Sequence, residues 1–324
     1  MKRYSCAVVT KTGRRRNNQD NYMLAAKYAP LDHDFSSEVC SGDTSKPLFA
    51  AVCDGMGGEE SGERASFEGC AELAAAANAL GKDPVQNKSL VDSAIIRANA
   101  RLCAIMKQDD MGRMGSTVIS VLLQNDTLSY TNLGDSRIYM LREGKLYQLT
   151  KDHTEGQAMV DAGVLTPEQL RTHPSRNKLS LHLGIFPDEM YVEPAKYADI
   201  ELHAGDKLLL CSDGVFGVLE PSVITSILGE KTVPAERAAK LVDTAFESGS
   251  KDNMTAMVID IADKKRPVFP FVLLGILLLA ALCAGALLLK KYFDERTDDI
   301  YYEQETETPA DMTDMPAEGE NNGL

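Results

Sequence analysis

Four short segments each place an aspartate beside small, turn-forming residues: Asp54-Gly55-Met56-Gly57-Gly58, Gly134-Asp135-Ser136-Arg137, Asp213-Gly214 and Asp252-Asn253. Three follow apolar runs that read as buried strands: Leu48 to Cys53, Leu128 to Leu133 and Lys207 to Ser212. A carboxylate at the end of a buried strand is costly unless positive charge meets it. Four such carboxylates converging on one place suit hard divalent cations, which take oxygen ligands from carboxylates, carbonyls and water. A fifth segment, Gly13 to Asn21, carries Arg14, Arg15 and Arg16 just ahead of Asp20. The planar guanidinium fork fits a phosphate in bidentate fashion. Taken alone, that segment also fits a solvated basic loop.

The elements that must position these residues are short strands and long helices. Strands are expected at Tyr4–Thr10, Leu48–Cys53, Thr117–Gln124, Leu128–Leu133, Arg137–Arg142, Lys145–Leu149, Lys207–Ser212 and Met254–Ile261. Thr117 to Leu149 reads as a meander, with β-branched runs separated by polar and glycine turns. Helices are expected at Glu60–Leu80, at Lys88–Gln108, whose apolar residues recur at helical spacing, and at Ala235–Glu247 behind Pro234. Meanders alternating with long helices indicate a layered α+β domain and not a parallel doubly wound one.

These segments together resemble the metal-dependent protein serine/threonine phosphatases of the 2C type, in their bacterial form. The resemblance covers about residues 4–261. Its motifs occur in the family's order: Gly13 to Asp20, Asp54 to Gly58 with Gly62, Gly115-Ser116-Thr117, Gly134 to Arg137, Leu149 to Thr154, Asp213-Gly214 and Asp252 to Thr255. It implies a central β-sandwich of two mainly antiparallel sheets with helices on both sides, four layers in all. It also implies two to three Mn2+ or Mg2+ ions. Asp54 would bridge two of them, with the Gly55 carbonyl as a further ligand. Asp213 and Asp252 would complete the first, Asp20 would sit on the second or its water shell, and Asp135, sharing Asp213, would hold a third. Arg15 takes the place of the phosphate-binding arginine. A hydroxide bridging two cations would attack phosphorus directly, with no protein nucleophile, so Cys53 reads as structural. Gln19 stands where many relatives carry an acid, and Met56 where animal relatives carry a histidine. His153 reads as a hydrogen-bonding structural residue. Residues 155–183, with a short helix at Glu155–Ala162 and a helix start at Thr166-Pro167-Glu168, correspond to the flap beside the active site, expected to govern substrate choice.

The composition changes near residue 264. Residues 264–267 form a basic segment, and 268–289 carry no charge, long enough at about 33 Å to span a membrane as a helix. Residues 290–324 are acidic and expected to be disordered. Of the 34 Lys+Arg and 48 Asp+Glu, 6 and 11 fall in residues 264–324, which leaves residues 1–263 at −9 out of a total of −14. That acidity argues against nucleic acid as a partner. Seven cysteines without a C-x-x-C pair read as reduced core residues. Met1 to Thr10 is too short and too polar for a leader. The expected arrangement is a single-pass protein of the cell membrane, its catalytic domain in the cytoplasm and its tail outside. Its expected substrates are phosphoproteins, including a Ser/Thr protein kinase. The competing readings are a non-catalytic phosphoprotein-binding or signal-sensing member and a phosphatase of small phosphate esters.

Overall fold

The computed structural model describes residues 1–108, 112–264 and 269–305. The chain divides into two units, Met1–Lys264 and Lys265–Leu324.

The first unit holds two antiparallel sheets. One is built from β1 (Lys2–Lys11), β4 (Phe35–Asp43), β9 (Arg137–Arg142), β10 (Lys145–Gln148), β13 (Lys207–Cys211) and β14 (Met254–Asp263), in the order β10-β9-β13-β14-β1-β4. The other runs β11-β8-β7-β5-β2-β3, formed by β2 (Asp20–Leu24), β3 (Lys27–Tyr28), β5 (Leu48–Met56), β7 (Val118–Gln124), β8 (Thr127–Leu133) and β11 (Ala195–Lys196). Two short strands join it at its margins: β6 (Gly115–Ser116) on β5 and β12 (Ile200–Glu201) on β8.

Three apolar layers hold the stack together. Between the sheets pack Val8, Leu24, Val52, Ile119, Leu210 and Ile259, all fully buried. Helices α1 (Gly58–Ala79) and α2 (Pro84–Gln108) cover the outer face of the second sheet through Leu73, Ile95 and Leu102. Helices α6 (Pro221–Gly229) and α7 (Pro234–Glu247) cover the first through Ile224, Leu228 and Leu241. The alanine-rich face of α1 permits close approach, and each large side chain buried here contributes roughly 1.5–3 kcal/mol. The expected four-layer α-β-β-α sandwich is therefore what the chain adopts.

Six strands are absent from the sequence reading, β2, β3, β4, β6, β11 and β12, and three of them show the physical reason. β2 opens on Asp20-Asn21 yet is buried along its whole length, so its polarity masks it. β4 is the edge strand of its sheet, and its apolar Phe35 and Val39 are exposed, which removes the usual apolar alternation. β6 is a two-residue pair, Gly55↔Ser116 and Met56↔Gly115, beyond the reach of any periodicity. Conversely β7 starts at Val118, one residue later than expected, because Thr117 is diverted to the site.

The flap contains α3 (Glu155–Asp161), α4 (Pro167–Leu170) and a 3-10 turn at Pro174–Asn177. Thr166 caps α4 in a reciprocal box with Gln169.

In the second unit, α8 spans Phe269–Glu305. Among the described residues no helix is long and apolar enough to cross a membrane, so the expected span at 268–289 finds no support. Val268 lies outside the described residues. The side chains described in α8 start at Leu277, and the apolar run from there to Leu289 covers only about 20 Å. The expected disorder of 290–324 is also corrected in its first part, because α8 continues to Glu305. Lys290 to Glu305 contains neither proline nor glycine, and an established helix propagates easily through good helix formers. Residues 306–324 lie outside the described residues.

Candidate active site

Asp54 stands at the end of β5, directly opposite Asp20 at the start of β2. Its backbone is clamped by the Gly115-Ser116-Thr117 segment. Thr117 N–H donates to the Asp54 carbonyl at 2.8 Å, and the Asp54 N–H donates to Thr117 Oγ1 at 3.0 Å. Gly55 N–H donates to the Gln19 carbonyl at 2.9 Å. A Cβ at Gly55 would fall 1.9 Å from the Gly62 carbonyl oxygen, so only glycine lets α1 approach so closely.

Asp135 sits in the turn between β8 and β9. The neighbouring Ser136 hydroxyl lies 2.8 Å from Thr117 Oγ1, tying this turn to the Asp54 clamp. His153 supports the same turn: its Nδ1 accepts from Gly134 N–H, and its own N–H donates to the Gly134 carbonyl. Burial lowers its pKa, which keeps it the neutral acceptor that this role requires.

Asp213 opens the short helix α5 (Asp213–Phe216) straight after β13. Gly214 behind it would put a Cβ 1.9 Å from the Asn253 carbonyl oxygen, so the Asp213 and Asp252 turns are pressed together. Asn253 is the brace between chain ends. Its side chain donates to the Thr12 and Asn17 carbonyls and accepts from Gln19 N–H.

Asp20 is buried. Its Oδ2 accepts from Ser212 Oγ at 2.6 Å and from Thr255 Oγ1 at 2.7 Å, while its Oδ1 is buried with no partner among the described residues. Arg15 forms a bidentate pair with Asp252, Nε–Oδ1 at 3.0 Å and Nη2–Oδ2 at 2.7 Å, and is half exposed. Arg14 is otherwise engaged, donating to the Ser250 and Phe246 carbonyls and lying over the Phe246 ring.

The electrostatics show how close these groups stand. Burial raises the Asp54 pKa well above the usual carboxylate range, and Asp20, Asp213, Asp135 and Asp252 each raise it further. Burial likewise brings Asp20 and Asp135 to about 7, and Asp213 to about 6. The second cause for Asp135 is Asp213, and Asp252 also raises Asp213. Among the described residues no group of three or more His, Cys, Asp or Glu forms a ready cation cage. Asp252 is drawn to Arg15 and Asp20 to two hydroxyls, and either would have to turn to ligate. The donor set nevertheless fits divalent cations: mutually repelling carboxylates, one orphaned buried oxygen and a strand-end carbonyl.

All the expected site residues, Arg15, Asp20, Asp54, Gly55, Asp135, Asp213 and Asp252, therefore belong to one neighbourhood. Sequence reasoning missed their supports. Ser212 and Thr255 hold Asp20, and Glu63 on α1 accepts from Asn17 Nδ2 at 2.9 Å and Gln19 Nε2 at 3.3 Å. Hydroxyl residues beside the aspartates were the available signal for the first pair. Glu63 gave none, since contact between α1 and the N-terminal loop is tertiary. Cys53 and Cys211 are buried free thiols, as expected.

The family description Protein phosphatase 2C matches residues 31–260. The serine/threonine protein phosphatase PstP of Mycobacterium tuberculosis is 36% identical over 217 residues, 66% of this chain and 40% of that protein. The chain thus spans less than half the length of that relative. Protein phosphatase PhpP of Streptococcus pneumoniae is 29% identical over 214 residues, 66% of this chain and 85% of that protein. Among solved structures, the catalytic domain of PstP in complex with 2 manganese ions aligns with a TM-score of 0.64 at 31% identity, covering 81% of this chain and 100% of that one. The S. agalactiae serine/threonine phosphatase aligns with a TM-score of 0.69 at 25% identity, covering 81% and 100%. With its fold, its ordered aspartate turns and these relatives in agreement, the chain belongs to the protein phosphatase 2C family.

Proposed function

We propose that this chain hydrolyses phosphoserine and phosphothreonine in proteins, with two to three Mn2+ or Mg2+ ions. The observation that carries this is the set of mutually destabilised carboxylates, Asp54, Asp135, Asp213 and Asp20, gathered beside an arginine at a surface opening. Asp54, the Gly55 carbonyl, Asp213 and Asp252 would hold the core ions, Asp20 the second ion or its water shell, and Asp135 with Asp213 a further one. Bound there, the ions supply Lewis-acid charge and acidify coordinated water. The chain's own residues do the rest. Arg15, already in bidentate geometry on a carboxylate, exchanges that partner for two phosphoryl oxygens and so orients phosphorus in the site. The Thr117 and Asn253 clamps keep the ligand turns fixed, and Ser212 and Thr255 fix Asp20. The nearby hydroxyls are all committed to holding the scaffold, Ser212 and Thr255 to Asp20 and Thr117 to the Asp54 backbone, and burial raises the thiol pKa of Cys211 behind the site, which keeps it inert.

The test is turnover of p-nitrophenyl phosphate and of a phosphothreonine peptide with and without Mn2+. Both activities should require the metal and vanish with EDTA; turnover that persists without metal would end this reading.

The rest of the biology is proposed from the sequence. The substrates include a Ser/Thr protein kinase. The uncharged run 268–289 anchors the chain in the cell membrane, with the catalytic domain in the cytoplasm and the short tail outside. Retention of the full chain in carbonate-washed membranes, and its release on deletion of 268–289, would support the anchor; an unwashed soluble pool alone would refute it.

A further inference from the structure

Two of the site aspartates, Asp135 and Asp213, line a cavity of about 660 Å3 beside the flap. A lone phosphate would leave most of it empty, and its size is typical of sites for larger ligands, roughly 300–1,000 Å3. Arg137 lies along its floor but is fully used: Asp152 takes the guanidinium in bidentate fashion, and the Phe216 ring stacks on it at 4.0 Å.

Two walls rise from this floor. On one side Phe216 at the end of α5 and the exposed Val218 just after it present apolar surface. On the other, Val160 and Leu170 of the flap face them, and Arg171 and Arg176 follow. Arg176 donates to the Arg171 carbonyl at 2.6 Å, which keeps the two side by side. Both are exposed, and among the described residues neither forms an ion pair. Glu168 lies close enough to feel Arg171 without pairing with it. Away from the catalytic aspartates, the cavity's one carboxylate without an ion pair among the described residues is Glu220, on the opposite wall.

We infer that this groove is the specificity subsite for the polypeptide that carries the phosphate. It takes an apolar side chain between Phe216 and Val218 on one side and Val160 and Leu170 on the other, and an anionic one, a carboxylate or a second phosphate, on Arg171 and Arg176. The inference rests on the phosphatase reading above and adds the substrate class to it. Continuity of the groove with Asp135 and Asp213 ties the occupant to the reacting phosphate. The unmatched guanidinium pair sets its charge, and the apolar wall requires more than a small ester.

The experiment uses the full chain with Mn2+ and a series of phosphothreonine peptides differing at one flanking position at a time, as Glu, phosphoserine, Ala or Lys. At one offset, Glu should raise kcat/KM about fivefold over Ala, the scale of an exposed ion pair, and Lys should lower it. Phosphoserine exceeding Glu at that offset would identify a second phosphate as the preferred anion, and the reverse a carboxylate. Arg171→Glu should invert the Glu/Lys order, and Arg171→Met, which keeps an apolar stem, should flatten it. Turnover of p-nitrophenyl phosphate should stay within twofold of the parent in both. An unchanged peptide profile in Arg171→Glu, with p-nitrophenyl phosphate turnover intact, would overturn the subsite and leave the phosphatase reading standing. Loss of p-nitrophenyl phosphate turnover in both variants would also overturn it, by placing Arg171 in the fold or the reaction. Absence of turnover in the parent would instead overturn the function itself.

Discussion

Asp135→Asn, studied without metal, tests whether the aspartates are a cation site kept in tension by the fold. The folded protein holds the Asp135 pKa at about 7, first because of burial and then because of Asp213. In the unfolded chain it returns to about 3.9. Between those values the folded state binds the extra proton, so stability falls as pH rises through that window. Below about pH 4 the carboxyl is neutral in both states and the penalty is absent; above about pH 7 it is complete. A shift of about three units corresponds to roughly 4 kcal/mol. Asparagine keeps the shape and removes the charge. In EDTA at pH 8 the variant should therefore be more stable than the parent by up to about 4 kcal/mol, on the order of 10 °C in Tm for a domain of this size. At pH 4 the two should melt together. Saturating Mn2+ should shrink or reverse the order at pH 8, because a ligand that binds only the folded state stabilises the parent through the carboxylate. Thermal melts followed by circular dichroism at both pH values, in EDTA and in Mn2+, supply the comparison. A variant no more stable than the parent at pH 8 in EDTA, or a gain that persists at pH 4, would refute the reasoning.

Arg15→Ala should raise KM for p-nitrophenyl phosphate about tenfold or more, the scale of a charge-assisted bidentate contact, with a smaller effect on kcat; steady-state kinetics decides, and an unchanged KM would put the phosphate elsewhere. Gly55→Ala forces a Cβ to within 1.9 Å of the Gly62 carbonyl, so it should destabilise the protein by about 3 kcal/mol or more, measured by urea melts. Arg237 is completely buried and ion-paired with Asp260. Asp260→Ala should therefore cost about 3–5 kcal/mol by stranding the guanidinium, while Arg237→Met with Asp260→Leu should recover most of that loss.

What the sequence disclosed here and what it concealed divide along a physical line. Asp54, Asp135 and Asp213 were legible because each combines two local signals, an apolar strand and a glycine turn, and Asp252 because of its asparagine turn and the apolar strand that follows it; none of these signals needs the partner strands to be known. The four-layer architecture was reached through the family resemblance, whereas the strand and helix pattern read alone led only to a layered α+β domain. The elements that escaped reading share the opposite property. β2 is buried because β5 and β3 flank it, β4 is exposed because it ends its sheet, and α6 is short enough for its few apolar residues to pass for loop. The same holds inside the site. Gln19 raised concern in the sequence as a missing acid, but Glu63 from α1 stands against its amide and that of Asn17. The negative charge absent from the N-terminal loop is thus present in that corner, delivered by a helix more than forty residues further along the chain. A carboxylate supplied across the fold leaves no trace in local spacing, and the loop motif by itself therefore understates how acidic the site is.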